Sequence, residues 1–194
     1  MELELIKINV EIEGLADLMF DRFIDHSKTA RPADQKLYLG EKNLVVMPSE
    51  NIFAFLYNED PAGCAKTFEG KKSKPFIRVG MGHTIIEPFH IPILHKGKEV
   101  KFTAFDKQKD IWWIFLQGGR TKGTGGKSIK QEASPRPVMR LPWSIAFQIT
   151  LIKNDYIDET KLFNWFTMGG LQIGMGNYRP RFGRFMVKSF DKVD

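Results

Sequence analysis

Trp143-Ser-Ile-Ala-Phe-Gln-Ile-Thr-Leu151, then Asp158-Glu-Thr-Lys-Leu-Phe-Asn-Trp-Phe-Thr-Met-Gly-Gly170, then Gly174-Met-Gly-Asn-Tyr-Arg-Pro-Arg-Phe-Gly-Arg-Phe185 is the stretch that sets the fold class. In the first piece apolar residues alternate with Ser144, Ala146, Gln148 and Thr150, the period of a strand with one face in the core. In the second, Asp158 is placed to cap a helix whose apolar side holds Leu162, Phe163 and Phe166, and Gly169-Gly170 is placed to end it through a left-handed residue. The third piece is a glycine-arginine loop, and a last strand runs through Val187 to Phe190. Strand, helix, loop and strand in one run make an α+β chain.

Moving outward, the N-terminus opens with another alternating strand, Ile6, Ile8, Val10 and Ile12 against Lys7, Asn9, Glu11 and Glu13, stopped at Gly14. Leu15 to Ile24 reads as a short helix or strand, and Asp25 to Pro32 as a loop. Leu37 to Leu39 and Leu44 to Met47 read as short strands turning at Gly40-Glu-Lys-Asn. Ser49 is expected to cap a helix carrying Ile52, Phe53, Leu56 and Tyr57 on one face, with Glu50 in the first turn. Phe76 to Val79, His83 to Ile86, His90 to Leu94, Lys98 to Phe105 and Ile111 to Leu116 are expected to be extended, Pro88 and Pro92 marking edges or bends. Gly118 to Pro137 has five glycines, two prolines and no hydrophobic period, so it reads as a long mobile loop or an extended hairpin. We expect a single domain over 1–194, with a core at about 1–60 and 141–194 and an insertion at about 61–140.

The 194 residues are 42% hydrophobic and 27% charged, a globular composition that excludes wholesale disorder. Cys64 is the only cysteine, which excludes an internal disulfide and a multi-cysteine zinc site and fits a reducing, cytoplasmic setting. No apolar run is long enough to cross a bilayer, and the acidic start lacks a signal peptide's basic region, so no membrane partner is expected. The net charge of +6 is unevenly placed. Lys66 to Arg78 and Arg120 to Arg140 hold more than all of it, so the remainder of the chain is acidic. Both read as basic loops, and segments of this kind suit a polyanionic partner.

Two nucleotide-binding motifs fail on spacing. Gly125-Gly-Lys-Ser128 resembles the end of a phosphate loop, but Thr121 stands where the earlier glycine is needed and Pro135 and Pro137 oppose a following helix. Gly174-Met-Gly176 follows a helix where a dinucleotide fingerprint would open one, and Arg179 replaces its third glycine. His83, His90 and His95 with Glu87 do not share one face of an extended chain, so no metal and no cofactor are expected. His26, near Lys28 and Arg31, is the one candidate for a general base in RNA cleavage.

The nucleic-acid-binding candidates are more numerous. Gly174 and Gly176 free the backbone for close approach, Arg179, Arg181 and Arg184 supply forked donors matched to phosphate, and Tyr178 and Phe182 offer faces for stacking bases. Ser49, Lys71, Lys72, Lys74, Arg78, Arg120, Lys122, Lys127, Arg136 and Arg140 complete the expected surface.

The order of helix, glycine-rich loop and last strand in Asp158 to Phe190 resembles the RAMP superfamily of CRISPR-associated RNA-binding proteins, in particular the backbone subunits along a guide RNA. Val45-Val-Met-Pro-Ser-Glu-Asn-Ile52 is similar to that family's strand and proline/serine helix start. The resemblance implies a ferredoxin-like, RRM-related antiparallel sheet with two helices, elaborated by β-rich insertions. It implies guide-RNA contact near Ser49 and in the C-terminal loop, and insertions serving as palm and thumb. A phage or mobile-element relative would share the same features.

Three functions follow as expectations. The leading one is non-catalytic binding of single-stranded RNA or DNA, RNA above DNA, with several copies of the chain or CRISPR-type complex subunits assembling along it. The alternatives are a metal-independent endoribonuclease using His26, and a phage structural or CRISPR-complex interaction protein.

Overall fold

The computed structural model describes residues 4–22, 31–122 and 128–193. β1 (Leu5–Gly14) and β2 (Leu18–Met19) precede β3 (Val46–Pro48), α1 (Ser49–Tyr57), α2 (Cys64–Glu69) and α3 (Ser73–His83). β4 (Thr84–Glu87), β5 (His90–Pro92), β6 (Leu94–His95) and β7 (Lys98–Glu99) are short. The long strands β8 (Trp112–Lys122), β9 (Ser128–Met139) and β10 (Trp143–Ile152) follow, then α4 (Glu159–Gln172) and β11 (Phe185–Val193).

The central sheet runs β11, β1, β10, with both β4 and β6 on the far side of β10. Every one of these pairings is antiparallel. β10 and β11 are therefore parallel to each other across β1, and α4 makes the crossover between them. With α1 between β1 and β4, the succession β1-α1-β4-β10-α4-β11 gives the ferredoxin-like order β11-β1-β10-β4. The register puts Ile8 opposite Ile149, Val10 opposite Phe147 and Ile12 opposite Ile145, all buried on one face. A one-residue slip would expose the whole set, so the two alternating patterns fix the register. Ile52, Phe55 and Leu56 of α1 and Leu162, Trp165 and Phe166 of α4 belong to the same core cluster. Each fully buried side chain of this kind contributes about 1.5–3 kcal/mol of transfer free energy. The opposite face is polar: Gln148 Nε2 donates to Asn9 Oδ1 at 3.0 Å, and Lys188 Nζ lies 2.9 Å from Glu11.

α4 begins as its sequence indicates, with Asp158 Oδ1 accepting from Lys161 N at 2.7 Å. It does not end at Gly169-Gly170. A Cβ on Gly169 would lie 2.6 Å from Cys64 Sγ and 2.7 Å from Phe55 Cζ, and one on Gly170 would lie 2.5 Å from Phe185 O. These glycines let α4 approach α1, α2 and β11 closely. The helix closes at Gly174, which has φ +74° and donates its N–H to Gly169 O at 2.9 Å.

Four other expectations are corrected. Lys66 to Arg78 is helical across α2, a 3-10 turn at Gly70–Lys72, and α3, where a basic loop was expected. Phe76 to Val79 is part of α3 and not extended: Phe76 meets Tyr156 and Trp165 edge-on, and Ile77 and Gly80 are buried beside it. Pro75 is tolerated because it sits in the first turn, where no intrahelical N–H is lost. Pro48, and not Ser49, occupies the cap position of α1, and the Ser49 side chain makes no capping bond. The Lys98 to Phe105 strand shortens to Lys98–Glu99, apart from an isolated bridge between Leu44 and Lys101.

Candidate nucleic-acid interface

Within the segment Gly118 to Pro137, the described residues 118–122 and 128–137 lie on the antiparallel pair β8 and β9, matched from Trp112 with Met139 out to Lys122 with Ser128; residues 123–127 lie outside the described residues. Its prolines do not break this ladder. Pro137 O accepts from Phe20 N at 3.0 Å, so in antiparallel geometry the proline nitrogen faces away from β8. Pro135, two residues earlier, has the same orientation. Ser128, the last residue of the phosphate-loop look-alike, starts a strand and no helix.

β8 presents two different faces at its root. Trp112 is buried against Phe20, Phe102 and Phe105, joining the main core. Trp113 and Phe115 point the other way, onto the glycine-arginine loop, where they meet Phe182 at ring distances of 6.0 and 5.7 Å. Met19, Val138 and Phe182 form a small second core at this junction.

The loop is held by backbone. Met175 N donates to Gly183 O, Asn177 N to Met19 O and Gly183 N to Asp17 O, all at 2.8–2.9 Å. Gly176 and Gly183 have φ +74°, and their missing side chains make room for the loop and β2 themselves. A Cβ on Gly176 would lie 2.6 Å from Met19 O, and one on Gly183 would overlap the Met175 carbonyl. Asp17, which the sequence reading did not single out, organises the junction. Its carboxylate accepts from Trp113 Nε1 and from Leu141 N, each at 3.0 Å. Because its carbonyl also accepts from Gly183 N, Asp17 ties the residue after Arg140 to the residue before Arg184.

The three loop arginines differ in role. Arg179 turns inward, donating from Nη1 to Gly174 O at 3.3 Å, and burial holds its pKa below the usual guanidinium value, with Cys64 nearby. Arg181 is exposed and lies 5.8 Å from the rings of both Phe115 and Phe182, a cation-π arrangement that leaves its donors at the surface. The Arg184 side chain is exposed, as is that of Arg140. Phe182 is only 6% exposed, so its ring is a packing element and offers no free face; Tyr178, 40% exposed beside Phe115, is the accessible ring. The polar face of the central sheet carries no aromatic residue among its described positions, so bases have no stacking platform there.

Arg136 belongs to a second cluster on β9. Its Nε lies 2.9 Å from Asp21 Oδ2, while Lys36, almost wholly buried, donates to Ser134 Oγ at 2.6 Å and lies 3.7 Å from Asp21. Desolvation lowers the Lys36 pKa. Arg120 and Lys122 lie on β8, with Arg120 paired to Lys130; Lys127 and His26 lie outside the described residues.

The other candidates are elsewhere. Lys71, Lys72, Lys74 and Arg78 are exposed on the 3-10 turn and α3, among elements that pack on α1 and α2. Ser49 is buried, its N–H donating to Phe89 O at 2.8 Å. His83 ends α3, His95 is buried on β6, and no three metal-ligating side chains come together among the described residues. Cys64 is buried, which raises its thiol pKa. No described helix is long and apolar enough to cross a membrane.

Beside the loop, Asn51 and Tyr38 line two adjoining depressions. One, of about 140 Å³, reaches Gly176 and Asn177; the other, of about 390 Å³, opens toward Phe89.

No family profile and no curated protein matches this sequence. Among solved structures, a chain in the cryo-EM structure of the Type III-B Cmr-beta bound to cognate target RNA is similar to it with a TM-score of 0.57 at 10% identity. The match covers 98% of this chain and 61% of that one, so this chain spans about three fifths of its length. Its α+β, ferredoxin-like sheet with β insertions is thus a fold found in that RNA-bound assembly.

Proposed function

We propose that this protein is a non-catalytic binder of single-stranded nucleic acid, RNA in preference to DNA. The observation that carries the reading is the junction built on Asp17, which ties the residue after Arg140 to the residue before Arg184 and leaves Arg140, Arg181, Arg184 and the Tyr178 ring exposed. Forked guanidinium groups bind phosphate and an exposed ring stacks a base, the combination that single strands require. The fold shared with a chain from an RNA-bound assembly supports the same reading. Lys71, Lys72, Lys74 and Arg78 on the 3-10 turn and α3 are a second exposed basic group.

The test is fluorescence anisotropy of nuclease-treated protein with labelled single-stranded RNA, single-stranded DNA and duplex DNA. Salt-dependent single-strand binding that Arg140→Ala/Arg181→Ala/Arg184→Ala loses while folded is the expected result. Binding to none of the three rejects the reading.

One observation favours assembly with protein partners as well. Phe163, Met168 and Leu171 of α4 are each 43–50% exposed, an apolar strip suited to further copies of the chain or to CRISPR-type complex subunits. Light scattering with and without nucleic acid separates strand-templated from intrinsic self-assembly.

A further inference from the structure

The larger depression, about 390 Å³, lies within the size range of small-molecule sites. It sits where the start of α1 meets the turn between β4 and β5. Phe89 stands at its mouth, 58% exposed, with its ring 4.8 Å from that of His90. A large apolar ring this exposed and outside the core offers a stacking face. Tyr38 forms another wall, with the amide of Asn51 beside it. Glu50, exposed in the first turn of α1, contributes a carboxylate, and Arg22 a guanidinium. No described ion pair engages either charge.

We infer that this depression is a subsite for one unstacked guanine nucleotide of the bound strand. The base stacks on Phe89, and Glu50 accepts from the two adjacent N–H groups on its Watson–Crick edge. Asn51 contributes a further polar contact and Arg22 meets the phosphate. Guanine is the base that presents two neighbouring donors to a carboxylate; adenine, cytosine and uracil each place an acceptor against one of its oxygens. The adjoining smaller depression continues toward Gly176, so a strand leaving this subsite runs onto the glycine-arginine loop. The inference deepens the proposed function and rests on it for the strand.

Mononucleotides test the subsite independently of strand binding. Guanosine 5′-monophosphate, titrated at millimolar concentration into the full chain and followed by NMR, is expected to shift the Asn51 and Phe89 resonances. Its affinity should exceed those of the adenosine, cytidine and uridine monophosphates by on the order of tenfold, the usual worth of a bidentate base contact. Phe89→Ala should abolish the effect. Glu50→Gln should weaken guanosine monophosphate and strengthen adenosine monophosphate, because a glutamine amide matches the adenine edge; a structural role for Glu50 would produce no such exchange. Equal affinity for all four nucleotides, no binding of any, or guanosine binding indifferent to both variants overturns the inference. Strand binding that persists in those cases leaves the proposed function standing. Guanosine binding without strand binding rejects the function and retains the subsite.

Discussion

Arg179 and Arg184 are five residues apart in one loop and do different work. Arg179 is partly desolvated and closes the loop on the Gly174 carbonyl, whereas Arg184 is exposed. Arg179→Ala should therefore lower the thermal midpoint, by an amount equivalent to about 1 kcal/mol, the net worth of a hydrogen bond. Arg184→Ala should leave the midpoint unchanged and reduce the salt slope of strand binding by about 0.7. If instead the Arg184 variant melts early with unchanged binding, the assignment of its role is wrong. Glycines give a second contrast. Gly169→Ala drives a methyl into Cys64 and Phe55, an overpacking that costs about 1–3 kcal/mol, while Gly82→Ala on α3 meets nothing within 4 Å and should gain up to about 1 kcal/mol of helix propensity. Chemical denaturation of the two variants should move the midpoint in opposite directions. Neither this difference nor that between the arginines is legible in sequence. Asp158 could be read as a cap because its partner is three residues away, but Gly169 owes its place to Cys64 and Phe55, more than a hundred residues distant.

At the scale of elements, legibility follows the range of the forces. β1 and β10 announce themselves by alternation because each buries one face against the same core. The β8–β9 hairpin shows no such period, since Trp112 and Trp113 are adjacent and each packs on a different core, and Pro135 and Pro137 lie on the ladder without disrupting it. α3 looked extended because its β-branched and aromatic residues favour strands; contacts of Phe76 with Trp165 and of Gly80 with Tyr57 override that local preference. Asp17 was invisible for the same reason, as its partners Trp113 and Leu141 are remote in sequence. Asp17→Ala leaves the Trp113 indole N–H and the Leu141 amide without acceptors, at a cost of about 1–3 kcal/mol. Hydrogen exchange should then accelerate at Leu141 and Gly183 before it does in β1 or β10. Uniform acceleration throughout the sheet would mean that the junction is not an independent element.

For the whole molecule the distribution of charge decides how far a strand extends over the surface. The chain carries +6, and among its exposed cations two groups are candidates for strand contact: Arg140, Arg181 and Arg184 at the hairpin junction, and Lys71, Lys72, Lys74 and Arg78 on the 3-10 turn and α3. In the sequence these cations lie in three separate stretches, Lys66 to Arg78, Arg120 to Arg140 and the glycine-arginine loop, and charge density along a chain does not reveal which elements share a face. Counterion release separates the two groups. Each phosphate neutralised on a single strand contributes about −0.7 to the slope of log affinity against log salt. Contact through the junction alone predicts a slope of about −2, whereas a strand crossing both groups predicts about −5. Between 50 and 200 mM salt these correspond to losses of about 16-fold and about 1,000-fold in affinity. The steeper value is expected for strands long enough to span the molecule and the shallower one for short oligonucleotides, so anisotropy against strand length at several salt concentrations should show the slope growing with length. A slope that stays near −2 for every length would confine the interface to the junction and leave the lysines of α3 as a solvated face, and a slope near zero would remove nucleic acid as the partner altogether.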